Sequence, residues 1–209
     1  MPAWISVILV GLAVLLQAPA YAGPLEDCEQ AQDLDLRVKG CTARLRQFPG
    51  DAAAYFNRSS AYLTLGDVDR VIADATRVIQ IDPGWAKAYF NRGLGYERKE
   101  QYDKALADLV KAIEINPRYA QAFEARARTY LKMQQVELAL RDADRALHLE
   151  PSDADFMITR GRVYEALGRT ADAIADYRRA LSLKPSMQAA IDGLHRLVVA
   201  PSSGLALPR

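Results

Sequence analysis

Five prolines recur at one fixed spacing along the 209-residue chain. They are Pro49, Pro83, Pro117, Pro151 and Pro185, and each lies 34 residues after the one before it, with no insertion or deletion. A single globular core gives no reason for such regularity, whereas a stack of helix–turn–helix units of this length does. The period therefore predicts an all-α solenoid, an architecture that offers an extended binding surface and seldom catalyses.

Four complete units follow from the period, at about 52–85, 86–119, 120–153 and 154–187. In each unit, position 4 is large, position 8 is small and position 11 is tyrosine, while positions 20 and 27 of the second helix are Ala or Val. Small residues at positions 8 and 20 predict a close crossing of the two helices. Proline at position 32 ends the second helix, because the residue before a proline avoids the helical region. Between the helices, units one and four have Gly66 and Gly168, whereas Glu100 and Gln134 give units two and three a weaker turn signal.

Unit two carries the pattern most fully, in Ala88–Gly93, Tyr96, Tyr102–Ala105 and Asn116–Pro117. In these residues the chain resembles the tetratricopeptide repeat (TPR) family, and the resemblance covers residues 52–185. It implies an all-α, right-handed superhelical solenoid of four helix–turn–helix repeats. Residues 23–51 are interpreted as a degenerate N-terminal half-repeat. An amphipathic pattern within 186–199 predicts a capping helix with Ala190, Ile191, Leu194 and Leu197 turned inward, and 200–209 are expected to form a disordered tail.

Residues 1–22 do not fit the repeat. The apolar run from Ile5 to Leu16 is short for a membrane-spanning helix, which needs about 20 residues, and Ala20–Tyr21–Ala22 matches a signal cleavage site. We interpret 1–22 as a secretory signal cut after Ala22, which predicts a periplasmic or secreted protein with no stable membrane insertion. Since no Lys or Arg precedes the run, an uncleaved short anchor is the alternative. Together with this leader, the opening from Cys28 to Thr42 is similar to small exported TPR proteins of Gram-negative bacteria.

The chain contains two cysteines, Cys28 and Cys41. An even number of cysteines in an exported protein predicts a disulfide, here within the half-repeat. A metal site is disfavoured because two thiolates without a nearby histidine do not complete a tetrahedral shell. A redox-active pair is disfavoured because such pairs usually have the closer Cys-x-x-Cys spacing.

Two charged ladders share the 34-residue period. Position 7 is arginine and position 23 is aspartate in every unit, and a planar guanidinium suits bidentate pairing with a carboxylate. We interpret the ladders as structural pairs between first and second helices, either within a unit or across to the next. Their members are Arg58, Arg92, Arg126 and Arg160 with Asp74, Asp108, Asp142 and Asp176.

Catalytic chemistry has little support in the sequence. The two histidines, His148 and His195, do not repeat, and neither has a nucleophile partner in a recognisable motif. There is no H-E-x-x-H motif and no glycine-rich phosphate loop. The formal net charge of +1 and the lack of a basic stripe disfavour nucleic acid. We expect no enzyme activity, no metal, no cofactor and no nucleic-acid partner.

The family resemblance implies that first helices line a concave groove through positions 2, 5, 6, 9, 12 and 13 of each unit. Spaced amides there can hydrogen-bond a peptide backbone, and phenylalanines can hold an apolar anchor. The predicted partner-binding residues are Phe56, Asn57, Lys87, Phe90, Asn91, Arg128 and Arg162. The predicted function is an exported scaffold for protein–protein interaction that binds a peptide or protein in this groove. The alternative is a structural component of an envelope complex, docking through its convex face or its ends.

Some members of the family hold the acidic C-terminal tails of chaperones with a clamp of lysine, asparagine and arginine. Asn57 and Lys87 match two places of that clamp, but Asn91 stands where the arginine belongs. The clamp is incomplete, and export would separate the chain from those chaperones. We therefore do not expect this chain to act as such a clamp.

Overall fold

A computed structural model describes residues 24–199 of the chain, so the predicted signal and the predicted tail lie outside the described residues. The described part consists of helices joined by short turns and contains no strand. In chain order the helices are α1 (Pro24–Gln30), α2 (Leu34–Gln47), α3 (Ala52–Leu65), α4 (Val68–Ile81), α5 (Ala86–Arg98), α6 (Tyr102–Ile115), α7 (Ala120–Lys132), α8 (Val136–Leu149), α9 (Ala154–Ala166), α10 (Thr170–Leu183) and α11 (Gln188–Val199). No helix within this part has the length and apolarity that crossing a bilayer requires.

The helices pack as a solenoid of hairpins. Helices α3 to α10 form four hairpins, and the second helix of each hairpin also packs against the first helix of the next. Within residues 24–199, successive first helices touch one another from α1 through to α11, whereas successive second helices do not. The stack is therefore curved, with the first helices on its concave side.

Proline follows the second helices of the units, and aspartate caps the starts of α2, α3, α4 and α9. The second helices of the four units are followed by C-cap residues that lie directly before a repeated proline, with φ between −135° and −129°: Asp82, Asn116, Glu150 and Lys184. At helix starts, Asp51 accepts a hydrogen bond from the Ala54 backbone N–H at 3.0 Å. Such a side-chain acceptor satisfies a backbone donor that has no partner within the helix.

The turn inside each unit has the same left-handed conformation, whatever residue occupies it. Gly66 and Gly168 have φ of 80° and 70°, and Glu100 and Gln134 have φ of 58° and 59°. Units two and three therefore form the same left-handed turn as units one and four, although their sequence lacks the glycine. In these two units a residue with a side chain occupies a region that normally favours glycine.

The two helices of a unit cross closely where small residues were predicted. Ser59 at position 8 donates a hydrogen bond from Oγ to the Val71 carbonyl oxygen at position 20, at 3.3 Å. A Cβ added to Gly93 would lie 3.1 Å from Leu109 Cγ and 3.4 Å from the Ala105 carbonyl oxygen. Small side chains at these positions are therefore a condition of the hairpin packing.

Unit four and α11 share one large buried side chain. Tyr177 is fully buried, and its ring occupies the space that a Cβ would need on both Gly161 and Gly193. The expectation for α11 was wrong in one respect: Ala190 is buried, but Ile191 is 41% exposed. Because Tyr177 meets Gly193, this glycine and Ala190 mark the packing face of α11, and Ile191 lies away from it.

The N-terminal half-repeat is short and tightly closed. A disulfide joins Cys28 of α1 to Cys41 of α2, with 4.4 Å between their Cα atoms. Both cysteines are buried beside Leu45 and Ala54, which connects the half-repeat to α3. Gly40 allows this approach, since a Cβ there would lie 2.5 Å from Asp27 Cβ. A small segment with little core of its own gains stability from such a covalent link.

Candidate functional site: the concave groove

The candidate site is the concave surface of α3, α5, α7 and α9, which we call the groove. Two aromatic pairs lie along its first half. Phe56 packs against Trp85 with ring centroids 5.4 Å apart, and Phe90 packs against Tyr119 at 5.0 Å. All four side chains are partly buried, so each pair combines a rigid apolar surface with remaining exposure.

Trp85 and Tyr119 were not among the predicted site residues. Each lies two positions after a repeated proline, and they are themselves one period apart. The recurrence of an aromatic residue at this position of the repeat was the feature of the sequence that could have identified them as site residues. Its pairing with position 5 of the same unit becomes visible only when the loop folds back onto the first helix.

The two predicted amides have different surroundings. Asn91 is only 5% exposed, and its Nδ2 donates a hydrogen bond to Ser60 Oγ at 3.1 Å. This bond joins the first helices of units one and two. Asn57 is partly buried and makes no side-chain hydrogen bond within residues 24–199. Of the two, Asn57 has the amide more available to a ligand, and Asn91 contributes to packing between units.

Arg128 is the centre of an ionic network that spans three units. Its guanidinium donates to Glu97 of α5 at 2.5 and 3.1 Å, and to Glu124 of its own helix at 3.2 and 3.3 Å. Thr159 of α9 donates from Oγ1 to Glu124 Oε1 at 2.7 Å. The arginine predicted to meet a partner is therefore largely engaged by carboxylates of the groove itself.

Glu124 has an unusual environment for a carboxylate, because its side chain is only 12% exposed at the floor of the groove. Burial raises the pKa of the Glu124 carboxyl above its ordinary value near 4.5, against the opposing effects of Arg128 and Thr159. The closer bonds of Arg128 go to Glu97, which leaves Glu124 less fully compensated.

Two depressions lie on either side of the Arg128 network. The first has a volume of about 460 Å³ and includes Phe90, Leu94, Arg98 and Lys132 in its lining. The second has a volume of about 420 Å³ and includes Ile158, Arg162 and Met187. Both share Glu124 and Arg128 as a common wall. Each depression thus offers apolar surface beside a positive side chain.

The remaining predicted cations lie at the groove surface. Lys87 on α5 and Arg162 on α9 are both exposed, and neither forms an ion pair within the described part of the chain. Both side chains therefore point their charge into solvent at the edge of the groove.

The charged ladders form pairs within each unit, which settles the register that the sequence left open. Each arginine donates from Nε and Nη2 to both carboxylate oxygens of the aspartate sixteen residues later, at 2.6 to 2.8 Å. The aspartates are buried between the two helices. The ladder thus belongs to the packing of the hairpins.

A third contact links most ladder arginines to the preceding hairpin. Through Nη1, Arg58 donates to Thr42 Oγ1 at 3.0 Å, Arg92 to Thr76 Oγ1 at 3.3 Å, and Arg160 to Asp144 Oδ1 at 2.9 Å. The ladder therefore bridges neighbouring units as well as the two helices of one unit.

The fold and the groove together define an all-α repeat solenoid with a concave surface built from its first helices. Three family models described as tetratricopeptide repeat match residues 52–84, 86–119 and 124–188, which together make up more than half of the chain. The chain belongs to the tetratricopeptide repeat family. No curated protein sequence gives a match.

Solved structures with the same fold include bacterial TPR proteins. TTC0263 from Thermus thermophilus has a TM-score of 0.66 and 24% identity, covering 80% of this chain and 90% of its own. MamA from Desulfovibrio magneticus RS-1 has a TM-score of 0.66 and 19% identity, with coverage of 77% and 91%. YrrB has a TM-score of 0.61 and 19% identity, with coverage of 79% and 94%. At these identities the likeness establishes the fold alone.

Proposed function

We propose that this protein is a non-enzymatic scaffold for protein–protein interaction, and that it binds a peptide or protein partner in the groove. The observation that carries the proposal is the continuous concave surface, with two aromatic pairs followed by two depressions. Rigid aromatic side chains in partly buried positions are typical anchors of binding surfaces. A preformed solenoid also loses little conformational entropy when it binds an extended segment.

Other TPR structures support this type of ligand. YrrB is described as a TPR protein with an unusual peptide-binding site. The first TPR domain of Spaghetti (RPAP3), which is 26% identical with a TM-score of 0.53, was solved with an HSP90 peptide of sequence SRMEEVD. It covers 55% of this chain and 91% of its own. For the present chain we propose a different set of contacts, because Asn91 occupies the arginine place of the chaperone-tail clamp and is bonded to Ser60.

We further propose that the scaffold works outside the cytosol. The apolar leader with its Ala-x-Ala site and the disulfide of the half-repeat support export, since disulfides persist in oxidising compartments. Residues 1–22 fused to a reporter enzyme that is active only outside the cytosol test this. An inactive fusion that accumulates in the cytosol would refute export.

Groove binding is tested by crosslinking in cells, with the wild type compared with Phe90→Ala and a matched control, Leu138→Ala. Leu138 is an exposed apolar residue on the second helix α8, outside the groove. The partner captured by the wild type should be lost with Phe90→Ala and retained with Leu138→Ala. Far-UV circular dichroism and thermal unfolding show that the variants are folded. Equal capture by all three proteins would refute groove binding and favour docking through the convex face or the ends.

A further inference from the structure

The charges of the groove are not balanced evenly. Its four carboxylates, Glu97, Glu124, Asp155 and Glu165, all have a cationic partner within the protein. Arg128 holds Glu97 and Glu124, Lys184 meets Asp155 at 3.0 Å, and Arg196 meets Glu165 at 2.9 Å. Within residues 24–199, the first helices of the groove therefore carry no carboxylate without a cationic partner, and the unpaired carboxylate at its edge is Glu100, in the turn after α5, which lines the first depression.

Four cations of the groove have no such partner. Among residues 24–199, no carboxylate forms an ion pair with them, although Arg98 donates a hydrogen bond to the Leu63 carbonyl oxygen at 2.6 Å. All four are exposed. They are Lys87, Arg98, Lys132 and Arg162. The groove therefore presents uncompensated positive charge although the whole chain is nearly neutral, at +1.

These cations follow the direction of the solenoid. Lys87 and Arg98 lie at opposite ends of α5, Lys132 ends α7, and Arg162 lies on α9. Arg98 and Lys132 border the first depression, and Arg162 borders the second. The aromatic pairs lie in units one and two, and Phe90 also lines the first depression beside Arg98 and Lys132. A segment lying along the groove from unit one would meet apolar surface in units one and two and positive charge in units two, three and four.

We infer that the groove selects partner segments that carry an apolar anchor followed by acidic side chains, an inference that rests on the proposed function. Complementary charge supplies specificity and faster association, and the aromatic pairs supply apolar contact. The acidic groups are side-chain carboxylates within the segment, because the four cations are spread over three units instead of converging on one point. A nucleic acid fits less well, since buried Glu124 and the Arg128 network divide the positive charge.

A random peptide library displayed on phage and selected on the oxidised full chain tests the inference. The selected peptides are screened again on Phe90→Ala, and those that need Phe90 are sequenced. We expect an excess of Asp and Glu beside an aromatic or aliphatic residue. Peptides that need Phe90 but are neutral or basic would overturn the inference and leave the proposed function standing. Failure to obtain any peptide that depends on Phe90 would overturn both.

Charge substitutions in the groove provide a second test. The acidic peptide that binds best is synthesised with capped ends and a fluorescent label, and its affinity for each variant is measured. Lys132→Ala and Arg162→Ala should each weaken binding by roughly two- to fivefold, the range for one exposed ion pair. The matched control, Arg141→Ala on the exposed surface of α8, should leave binding unchanged. Equal loss with the control would show a non-specific charge effect and refute the inference. Stronger competition by single-stranded oligothymidylate than by the acidic peptide would assign the cations to nucleic acid instead.

Discussion

The third contact of the arginine ladder leads to a prediction in which one substitution adds a missing hydrogen bond. Thr42, Thr76 and Asp144 accept this bond from Arg58, Arg92 and Arg160, and they stand 34 residues apart in the series whose remaining member is Val110. Valine offers no acceptor, and Arg126 makes no third contact within residues 24–199. Val110→Thr should therefore supply an acceptor to Arg126.

The expected gain follows from the type of bond. A hydrogen bond to a charged group contributes about 1.5 to 3 kcal/mol to the free energy of unfolding. The exchange also removes a methyl group of half-buried Val110 from apolar contact, which lowers this gain by up to about 0.8 kcal/mol, the value for one fully buried carbon. We therefore expect Val110→Thr to stabilise the protein by about 1 kcal/mol, which corresponds to a Tm increase of about 2 to 4 °C for a chain of this size.

Urea unfolding followed by far-UV circular dichroism measures the effect. Thr76→Val removes the equivalent contact of Arg92 and should destabilise by a similar amount. Val136→Thr, at a half-buried position on α8 outside the series, measures the general cost of the exchange. If Val110→Thr behaves like Val136→Thr, and Thr76→Val is neutral, the third contact contributes nothing and the reasoning is refuted.

Three further predictions concern single residues. Because burial raises the pKa of Glu124, the folded state binds this proton more tightly than the unfolded state, and the stability that the group contributes falls as pH rises from about 4.5 through the raised pKa. Glu124→Gln should remove this fall in the free energy of unfolding. Parallel pH profiles of the two proteins in urea unfolding would contradict the prediction. Glu100→Gly should stabilise the protein by about 0.5 kcal/mol, because relief of the left-handed backbone at φ 58° exceeds the entropic cost of glycine. A stability lower by about 1 kcal/mol in thermal unfolding, as expected for a glycine inside a helix, would count against this prediction. Gly193→Ala should destabilise the protein by about 1 to 3 kcal/mol although alanine favours helices, because the new Cβ would collide with the Tyr177 ring. Unchanged hydrogen-exchange protection of α11 would show that the ring can move aside and would contradict the prediction.

Much of the architecture could be predicted from the sequence because each unit is local. Within a repeat, the small residues of the crossing and the proline at position 32 act within one helical hairpin, and the same pattern occurs four times. The helix pairs and the order of first and second helices follow from that pattern. The degenerate half-repeat and the capping helix do not follow the repeat pattern closely. In the capping helix α11, Ile191 was therefore assigned to the wrong face.

The details of the groove depended on contacts between residues about one repeat apart, which a pattern within one unit does not specify. Phe90 and Tyr119, Glu97 and Arg128, and Glu124 and Thr159 all meet across a unit boundary or a loop. The one-dimensional period determined that the chain folds as a helical solenoid, and the family resemblance implied that its first helices lie inside the curve. Only the stacking of the units decided which groove charges neutralise each other, since it sets the separation between side chains of neighbouring helices.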